Sequence, residues 1–294
     1  MAGQVRERAI TYDLGNIIEI DVCPHKKVGG TRMAKWRPTS EAQEKVNRER
    51  RRRYVTRLVE LNFDKHSLML TLDYENGMYP DTWEEGKRDV ANWIRRVRPL
   101  YKRAGKELRY IYCTERGEET GRMHHHVIIS GGISRDELFA TWRRGRRMWA
   151  EYLEFSENGY ADLSAYVSKK QEDFERAYTP SKNLIKPEPL PDEDRLVSAL
   201  SRVFTKARCR DFYEHNFTRA EIAAMFPGFK VCDGWECRFS PYDKGYYLHF
   251  RLLKDGARVA NWAETVADKY PWRELWADED MRGLTRRRKE GDDA

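Results

Sequence analysis

The stretch ELRYIYCTERGEETGRMHHHVIIS, residues 107–130, contains two strand-like segments on either side of a polar, glycine-containing turn. Tyrosine, isoleucine and threonine are frequent in the first segment, 107–115, and the second, which begins at Met123, ends in valine and isoleucine. Segments of this composition joined by a polar turn, here Arg116 to Arg122, are typical of antiparallel strand pairs. We therefore predict a β-hairpin at this place in the chain.

The segments around the hairpin predict one more strand and several helices. SLMLTLDY, residues 67–74, predicts a strand that ends before the turn at Asn76-Gly77. Apolar residues at helical spacing predict a helix at 82–103, which Pro99 should bend or end early. Further helices are predicted at 40–61, 134–151 and 160–176. This order of elements predicts an α+β fold, an antiparallel sheet with flanking helices.

The chain divides into three regions by composition. Residues 1–40 predict a short strand and a basic arm, and residues 41–190 contain the hairpin with the helices around it. A segment with four prolines, 178–195, is typical of a linker or an extended arm. Residues 191–294 predict a smaller α+β region of open role, with a helix at 193–215 and strands at 229–239 and 245–253.

Composition limits the possible classes of protein. Lysine and arginine outnumber aspartate and glutamate by 55 to 48, and this net charge of +7 permits a nucleic-acid partner without requiring one. No apolar run approaches the roughly 18 residues of a membrane span, and the N-terminus lacks the apolar core of a signal peptide. The five cysteines are odd in number and scattered, which does not suit a disulfide framework. We expect a cytoplasmic protein with no membrane partner.

The three consecutive histidines of the hairpin are the first candidate functional residues. Side chains alternate between the two faces of a strand, so His124 and His126 point the same way, about 7 Å apart along the strand. Two neutral imidazoles at this spacing can bind one divalent cation. His125 points to the other face, where we expect it to be packed or paired with a carboxylate.

A third, oxygen ligand would complete such a site. Glu115 on the preceding strand is the natural donor, and Glu118 and Glu119 in the turn are its rivals. The histidines also fit a plain surface patch or the metal site of a cupin-like protein, but they run directly into an apolar strand.

A second candidate element is LSAYVSKK, residues 163–170. On a helix, Tyr166 shares a face with Lys169 and Lys170, which stand three and four residues further on. A tyrosine hydroxyl has a pKa near ~10 and is a poor nucleophile at neutral pH unless cations or a polarised substrate assist it. The alternative is that Tyr166 is an ordinary residue of an amphipathic helix.

Together these elements resemble the HUH endonuclease superfamily, and most nearly its rolling-circle replication initiators from single-stranded DNA phages, prophages and plasmids. LMLTLDY (68–74) looks like the first motif of that family, ERGEETGRMHHH (115–126) like its metal motif, and YVSKK (166–170) like its tyrosine motif. The following TPSKNLIKPEP also resembles a segment of prophage-encoded initiators. The resemblance covers roughly residues 65–190, so region 41–190 would be the endonuclease domain.

The resemblance implies an activity and a role for each matching residue. Glu115, His124 and His126 would bind Mg²⁺ or Mn²⁺, Tyr166 would attack the scissile phosphate of a single-stranded DNA origin, and Lys169 would assist. The product would be a 5′-phosphotyrosine link and a free 3′-hydroxyl for a host polymerase. The chain has no GxxxxGK[ST] phosphate loop, so strand separation would need a host helicase. The sequence leaves the oligomeric state open.

The arginine- and tryptophan-rich helix predicted at 134–151 suits single-stranded DNA, because guanidinium groups bind phosphates and indoles stack on bases. We predict DNA contacts from Arg143, Arg144, Arg146, Arg147 and Lys170. Trp142 and Trp149 are equally well explained as core residues. The run Arg50 to Arg53 could form a second phosphate-binding surface or a solvated helix face.

The chain departs from the family pattern at three positions. His125 stands where a bulky apolar residue is usual, Asp73 replaces a residue commonly Thr or Ser, and Lys170 stands where some initiators have a second tyrosine. Relaxases are disfavoured because their tyrosine precedes the histidines. A single-tyrosine transposase, a metal-stabilised DNA-binding regulator without catalysis and a cupin-like oxygenase are the remaining alternatives.

Overall fold

A computed structural model describes residues 7–24, 41–117, 121–145, 148–163, 177–215, 217–240 and 244–257, without the side chains of 41–43 and 199–202. The helices are α1 (Glu41–Asn62), α2 (Trp83–Arg103), α3 (Arg135–Thr141), α4 (Arg195–Val203), α5 (Lys206–Glu214) and α6 (Arg219–Ala224). The strands are β1 (Glu7–Asp13), β2 (Ile17–Pro24), β3 (Leu68–Leu72), β4 (Tyr110–Arg116), β5 (Met123–Ile129), β6 (Met148–Tyr152), β7 (Thr179–Pro180), β8 (Phe229–Val231), β9 (Glu236–Ser240) and β10 (Gly245–Lys254). All of these elements belong to one compact unit.

The predicted hairpin forms the middle of a five-stranded antiparallel sheet in the order β6-β3-β5-β4-β7, which we call the histidine sheet. In the hairpin Glu115 pairs with His124 and Cys113 with His126, and β3 adds to the other side of β5 with Thr71 opposite His126. This sheet and the helices that flank it confirm the predicted α+β fold.

Helix α2 packs on one face of the histidine sheet. Thr82 and Glu85 form a capping box at its start, and its apolar stripe, which includes Val90, Trp93 and Val97, is buried against the apolar face of the sheet. The expectation that Pro99 would bend or end this helix early is wrong, because the helix continues to Arg103. The fully buried Tyr101 lies beyond the proline, and its packing holds the last turn in place despite the missing N–H donor.

The helix predicted at 134–151 is also wrong in its second half. Only α3 is helical, and Met148–Tyr152 forms the edge strand β6, with Trp149 opposite Thr71 of β3. Between them the chain approaches the end of β3 closely at Gly145, where a Cβ atom would lie 2.4 Å from the carbonyl oxygen of Asp73. The helical spacing of apolar residues therefore gave way to pairing along an open sheet edge.

A second sheet, which we call the terminal sheet, joins the two ends of the described chain. Its strands run β1-β2-β10-β8, and β9 pairs with β10. The N-terminal segment thus contributes two strands rather than the single strand predicted, and β2 pairs with β10 far along the chain. The helix predicted at 193–215 is divided into α4 and α5, because Thr205 caps a new helix. The three predicted regions stay a prediction.

One face of the terminal sheet packs on α4, α5 and α6 through a core that contains Phe204, Phe212 and Phe250. The opposite face carries charged side chains that pair with α1. Within the described part of the chain, no helix is both long and apolar enough to cross a membrane. The helix predicted at 160–176 lies largely outside the described residues.

Candidate metal centre

Three side chains converge on the exposed end of one face of the histidine sheet. The Nε2 atoms of His124 and His126 lie 2.9 Å and 2.7 Å from the same oxygen, Oε1 of Glu115. The ligand atoms of all three residues lie within 4.8 Å of one another. The structure thus brings together the three residues that the sequence named as metal ligands, because β4 and β5 pair with Glu115 opposite His124.

The chemistry of this cluster fits a divalent cation. The second carboxylate oxygen of Glu115, Oε2, is buried and has no hydrogen-bond partner within the described structure. Buried polar atoms are seldom left in this state, and a cation would satisfy the oxygen. Two imidazole nitrogens and a carboxylate suit a first-row divalent metal with further positions open for oxygen ligands. The side chains of His124 and His126 remain 20% and 13% exposed, so the centre is accessible from solvent.

The titration behaviour of the cluster shows that it favours positive charge. Burial by itself would raise the pKa of Glu115, but the hydrogen bonds and charges of His124 and His126 outweigh it and hold this pKa well below its ordinary value. Burial would likewise lower the pKa of His124, but the bond to Glu115 outweighs it and raises this pKa. The ionised carboxylate therefore attracts a proton on the imidazole or a metal cation in its place.

Both imidazole rings are held from behind through their Nδ1 atoms. Nδ1 of His126 lies 3.1 Å from the hydroxyl of Thr71, and Nδ1 of His124 lies 3.3 Å from the carbonyl oxygen of Arg122. Such partners fix the tautomer and the orientation of a metal-binding histidine. Sequence reasoning gave no role to Thr71, although it lies in the strand LMLTLDY that was singled out as a motif.

His125 points away from the cluster into the core. It is fully buried, and burial, with repulsion from His124 and His126 as a smaller cause, lowers its pKa to about 3. Its Nε2 lies 2.7 Å from the Tyr74 hydroxyl and its Nδ1 lies 2.8 Å from the Thr114 hydroxyl. The histidine is therefore neutral and paired with two hydroxyl groups, where a carboxylate or simple packing was expected.

The remaining predicted residues are only partly described. Arg143 is exposed, whereas Arg144 forms an ion pair at 2.8 Å with the buried Asp89 of α2. Trp142 is buried, and its indole donates to the carbonyl oxygen of Asp73, but Trp149 is 45% exposed. Because Trp149 pairs with Thr71, and Thr71 with His126, the exposed indole lies on the same face of the sheet as the metal ligands.

The proposed nucleophile and several cations lie outside the described residues. These are Tyr166, Lys169 and Lys170 with Arg146 and Arg147, and also the rival ligands Glu118 and Glu119. Their predicted roles stay predictions.

A second group of acidic residues and a histidine, Glu19, Asp21 and His249, lies on the terminal sheet. Its carboxylates already bind arginine: Arg57 contacts both, at 2.6 Å in the case of Glu19, and Arg53 lies 3.2 Å from Asp21. Two guanidinium groups neutralise this cluster and would repel a metal ion. The arginine-rich stretch of α1 thus serves in part to anchor the helix on the terminal sheet.

The fold and the site define an α+β protein with a two-histidine, one-carboxylate cluster on an antiparallel sheet. Residues 67–172, just over a third of the chain, match a family model described as a replication-associated protein of the ORF2 type. This match supports a role in the initiation of replication, and the matched segment contains both the cluster and Tyr166. No curated protein and no solved structure matches the chain.

Proposed function

We propose that the protein is a rolling-circle replication initiator of the HUH type, which nicks and rejoins single-stranded DNA through a 5′-phosphotyrosine link to Tyr166. The observation that carries this proposal is the convergence of Glu115, His124 and His126 on one sheet face inside a segment that matches a replication-associated family. The same segment provides the tyrosine downstream of the histidines.

The cation proposed for this centre is Mg²⁺ or Mn²⁺, held by one oxygen of Glu115 and the Nε2 atoms of His124 and His126. When bound, it supplies Lewis-acid stabilisation of the charge that develops on the phosphate. The chain's own contribution is to hold the three ligand atoms together before DNA arrives. Thr71 and the Arg122 carbonyl fix the two rings, so little reorganisation is needed when the phosphate binds.

The covalent step exchanges one phosphate ester for another. The phenol oxygen of Tyr166 bonds to phosphorus and gives up its proton, and the bond from phosphorus to the 3′-oxygen breaks, leaving a 3′-hydroxyl after that oxygen takes up a proton. Lys169 would favour the phenolate by its positive charge. Since the number of phosphate ester bonds is unchanged, nicking and rejoining need no ATP. The 3′-hydroxyl would serve a host polymerase, and a host helicase would separate the strands.

Exposed basic and aromatic side chains near the edge of the histidine sheet support a single-stranded DNA partner. Trp149 presents its indole on the ligand face and can stack on a base. Arg143 lies close enough to Arg96 of α2 to act on it: the pKa of Arg96 is lowered, first by burial and then by the like charge of Arg143. Like charges held together in this way form a surface that attracts phosphates.

A covalent adduct assay tests the proposal. The protein is incubated with Mn²⁺ and single-stranded DNA of random sequence, and adducts are separated on a denaturing gel and sequenced. We expect a DNA-linked band for the wild type, none for Tyr166→Phe with DNA binding retained, and none for His124→Ala or His126→Ala.

An adduct that forms normally in Tyr166→Phe would show that another nucleophile acts. If no adduct forms with any DNA in the presence of Mn²⁺ or Mg²⁺, while DNA binding persists, the non-catalytic regulator is the better description.

A further inference from the structure

A continuous chain of polar contacts lies directly behind the candidate metal centre. It begins at Thr114, passes through His125 and Tyr74, and ends at Asp89, which is paired with Arg144. Its middle is dry, since His125 is fully buried and Tyr74 is 4% exposed. These contacts join β4, β5, the end of β3 and α2, which are separated by many residues along the chain.

The donors and acceptors of this chain can be assigned in one direction. The Asp89 carboxylate accepts from Arg144 and has no proton to give, so the Tyr74 hydroxyl must donate to it. The Nε2–H group of His125 then donates to the oxygen of Tyr74. A neutral imidazole has one donor and one acceptor, so its Nδ1 accepts from the Thr114 hydroxyl. Every buried polar atom of the bridge is satisfied, and one tautomer of His125 is fixed.

The ring of His125 is also enclosed by neighbouring groups. The ring of Tyr74 meets it edge-on at a centroid distance of 5.5 Å, and the ring of Trp142 does so at 6.0 Å. Helix α2 comes close because residue 86 is glycine: a Cβ atom there would lie 3.5 Å from Cε1 of His125 and 2.3 Å from the sulfur of Met123. The ring therefore has no room for a second rotamer without displacing its neighbours.

The position of this bridge relates it to the ligands. His125 lies between His124 and His126 in the strand, and its cross-strand partner Thr114 precedes Glu115. We infer that the Thr114–His125–Tyr74–Asp89 bridge, with His125 and Tyr74 as positioning residues, fixes the strand segment that carries the ligands and so sets the affinity of the centre for its divalent cation. This inference rests on the proposed metal centre, whose three ligands project from the other side of the same two strands.

Direct measurement of Mn²⁺ affinity tests the inference, with calorimetry on the full chain in the absence of DNA. Tyr74→Phe and Thr114→Val each remove one hydroxyl of the bridge with little change of shape. We expect each to raise the dissociation constant for Mn²⁺ about fivefold, as befits one net hydrogen bond. Thr114→Ser, which keeps the hydroxyl, should restore the wild-type affinity.

Matched controls separate positioning from general loss of stability. Tyr101→Phe removes another buried tyrosine hydroxyl of the same core, one that donates to Ser130 beyond the opposite end of β5. Thr11→Val makes the second substitution in the terminal sheet. Both should leave the Mn²⁺ dissociation constant unchanged, whatever their effect on the unfolding temperature. If Tyr74→Phe does not fold, the comparison of Thr114→Val with Thr114→Ser and Thr11→Val carries the test.

The outcomes are distinguishable. Wild-type Mn²⁺ affinity in Tyr74→Phe and Thr114→Val, or an equal loss in Tyr101→Phe, would overturn the inference and leave the metal centre standing. A wild-type protein that binds no Mn²⁺, or a His126→Ala variant that binds it as well as the wild type, would refute the proposed centre itself.

Discussion

The substitution Thr71→Val addresses the direct support of a metal ligand. The hydroxyl of Thr71 lies 3.1 Å from Nδ1 of His126, whose Nε2 lies 2.7 Å from Glu115. Valine has nearly the same shape and suits a strand, so the sheet should persist. Loss of a partner of this kind typically weakens metal binding by about 10- to 100-fold. Since the ring of His126 still packs edge-on against His124 at 4.9 Å, we expect the lower end, about tenfold or ~1.4 kcal/mol.

Calorimetric titration with Mn²⁺ measures this change, and Thr71→Ser should bind as the wild type does because it keeps the hydroxyl. The same tenfold loss should appear in the Mn²⁺ concentration needed for half-maximal DNA cleavage. A Thr71→Val protein that is folded and binds Mn²⁺ with wild-type affinity would refute the reasoning that the Thr71 hydroxyl orients His126.

Other side chains give expectations for stability and DNA binding. Asp21→Asn should lower the free energy of unfolding by about 2 kcal/mol at pH 7, because it weakens charge-assisted hydrogen bonds. Although burial opposes it, bonding to His249 and the arginines holds the pKa of Asp21 below its unfolded value near ~3.9, so this stability is present above that value and is lost as the pH falls below it. Urea unfolding should thus show a smaller difference between Asp21→Asn and wild type at pH 3, and an undiminished difference would contradict this account. Trp149→Ala should weaken single-stranded DNA binding by about 1–3 kcal/mol in fluorescence anisotropy, and unchanged affinity would exclude stacking. Arg143→Gln should reduce the slope of log affinity against log salt by about 1, whereas an unchanged slope would clear Arg143 of phosphate contact.

Local sequence patterns were sufficient to predict the hairpin and the side chains on its faces. The alternation of a strand puts His124 and His126 on one face and His125 on the other, whatever the rest of the fold does. A polar turn after Glu115 then requires the next strand to return antiparallel, which brings Glu115 opposite His124. These features depend on residues within about 20 positions of one another.

Contacts between distant segments could not be read from such patterns. Nothing near Thr71 or Tyr74 indicates which residue lies opposite, because the partners are 55 and 51 positions away. The pairing of β2 with β10 has the same character, since it joins the two ends of the described chain. Each depends on tertiary packing and not on local propensity.

The error at 134–151 has a physical cause of a third kind. Apolar residues there recur at a spacing that suits a helix, but β3 offered an open edge, and the backbone of Met148–Tyr152 forms hydrogen bonds to it. Pairing of this kind outweighs the weak helical preference of a short segment.

The residue that carries DNA after the reaction tests the central claim most directly. An adduct formed with Mn²⁺ is digested with nuclease and trypsin, and the nucleotide-bearing peptide is fragmented in a mass spectrometer. The tryptic peptide 148–169 contains Tyr152, Tyr160 and Tyr166, so fragmentation can tell them apart. The account predicts a nucleotide linked through its 5′-phosphate to Tyr166 alone. A nucleotide on Tyr152 or Tyr160, or on a residue outside this peptide, would contradict it.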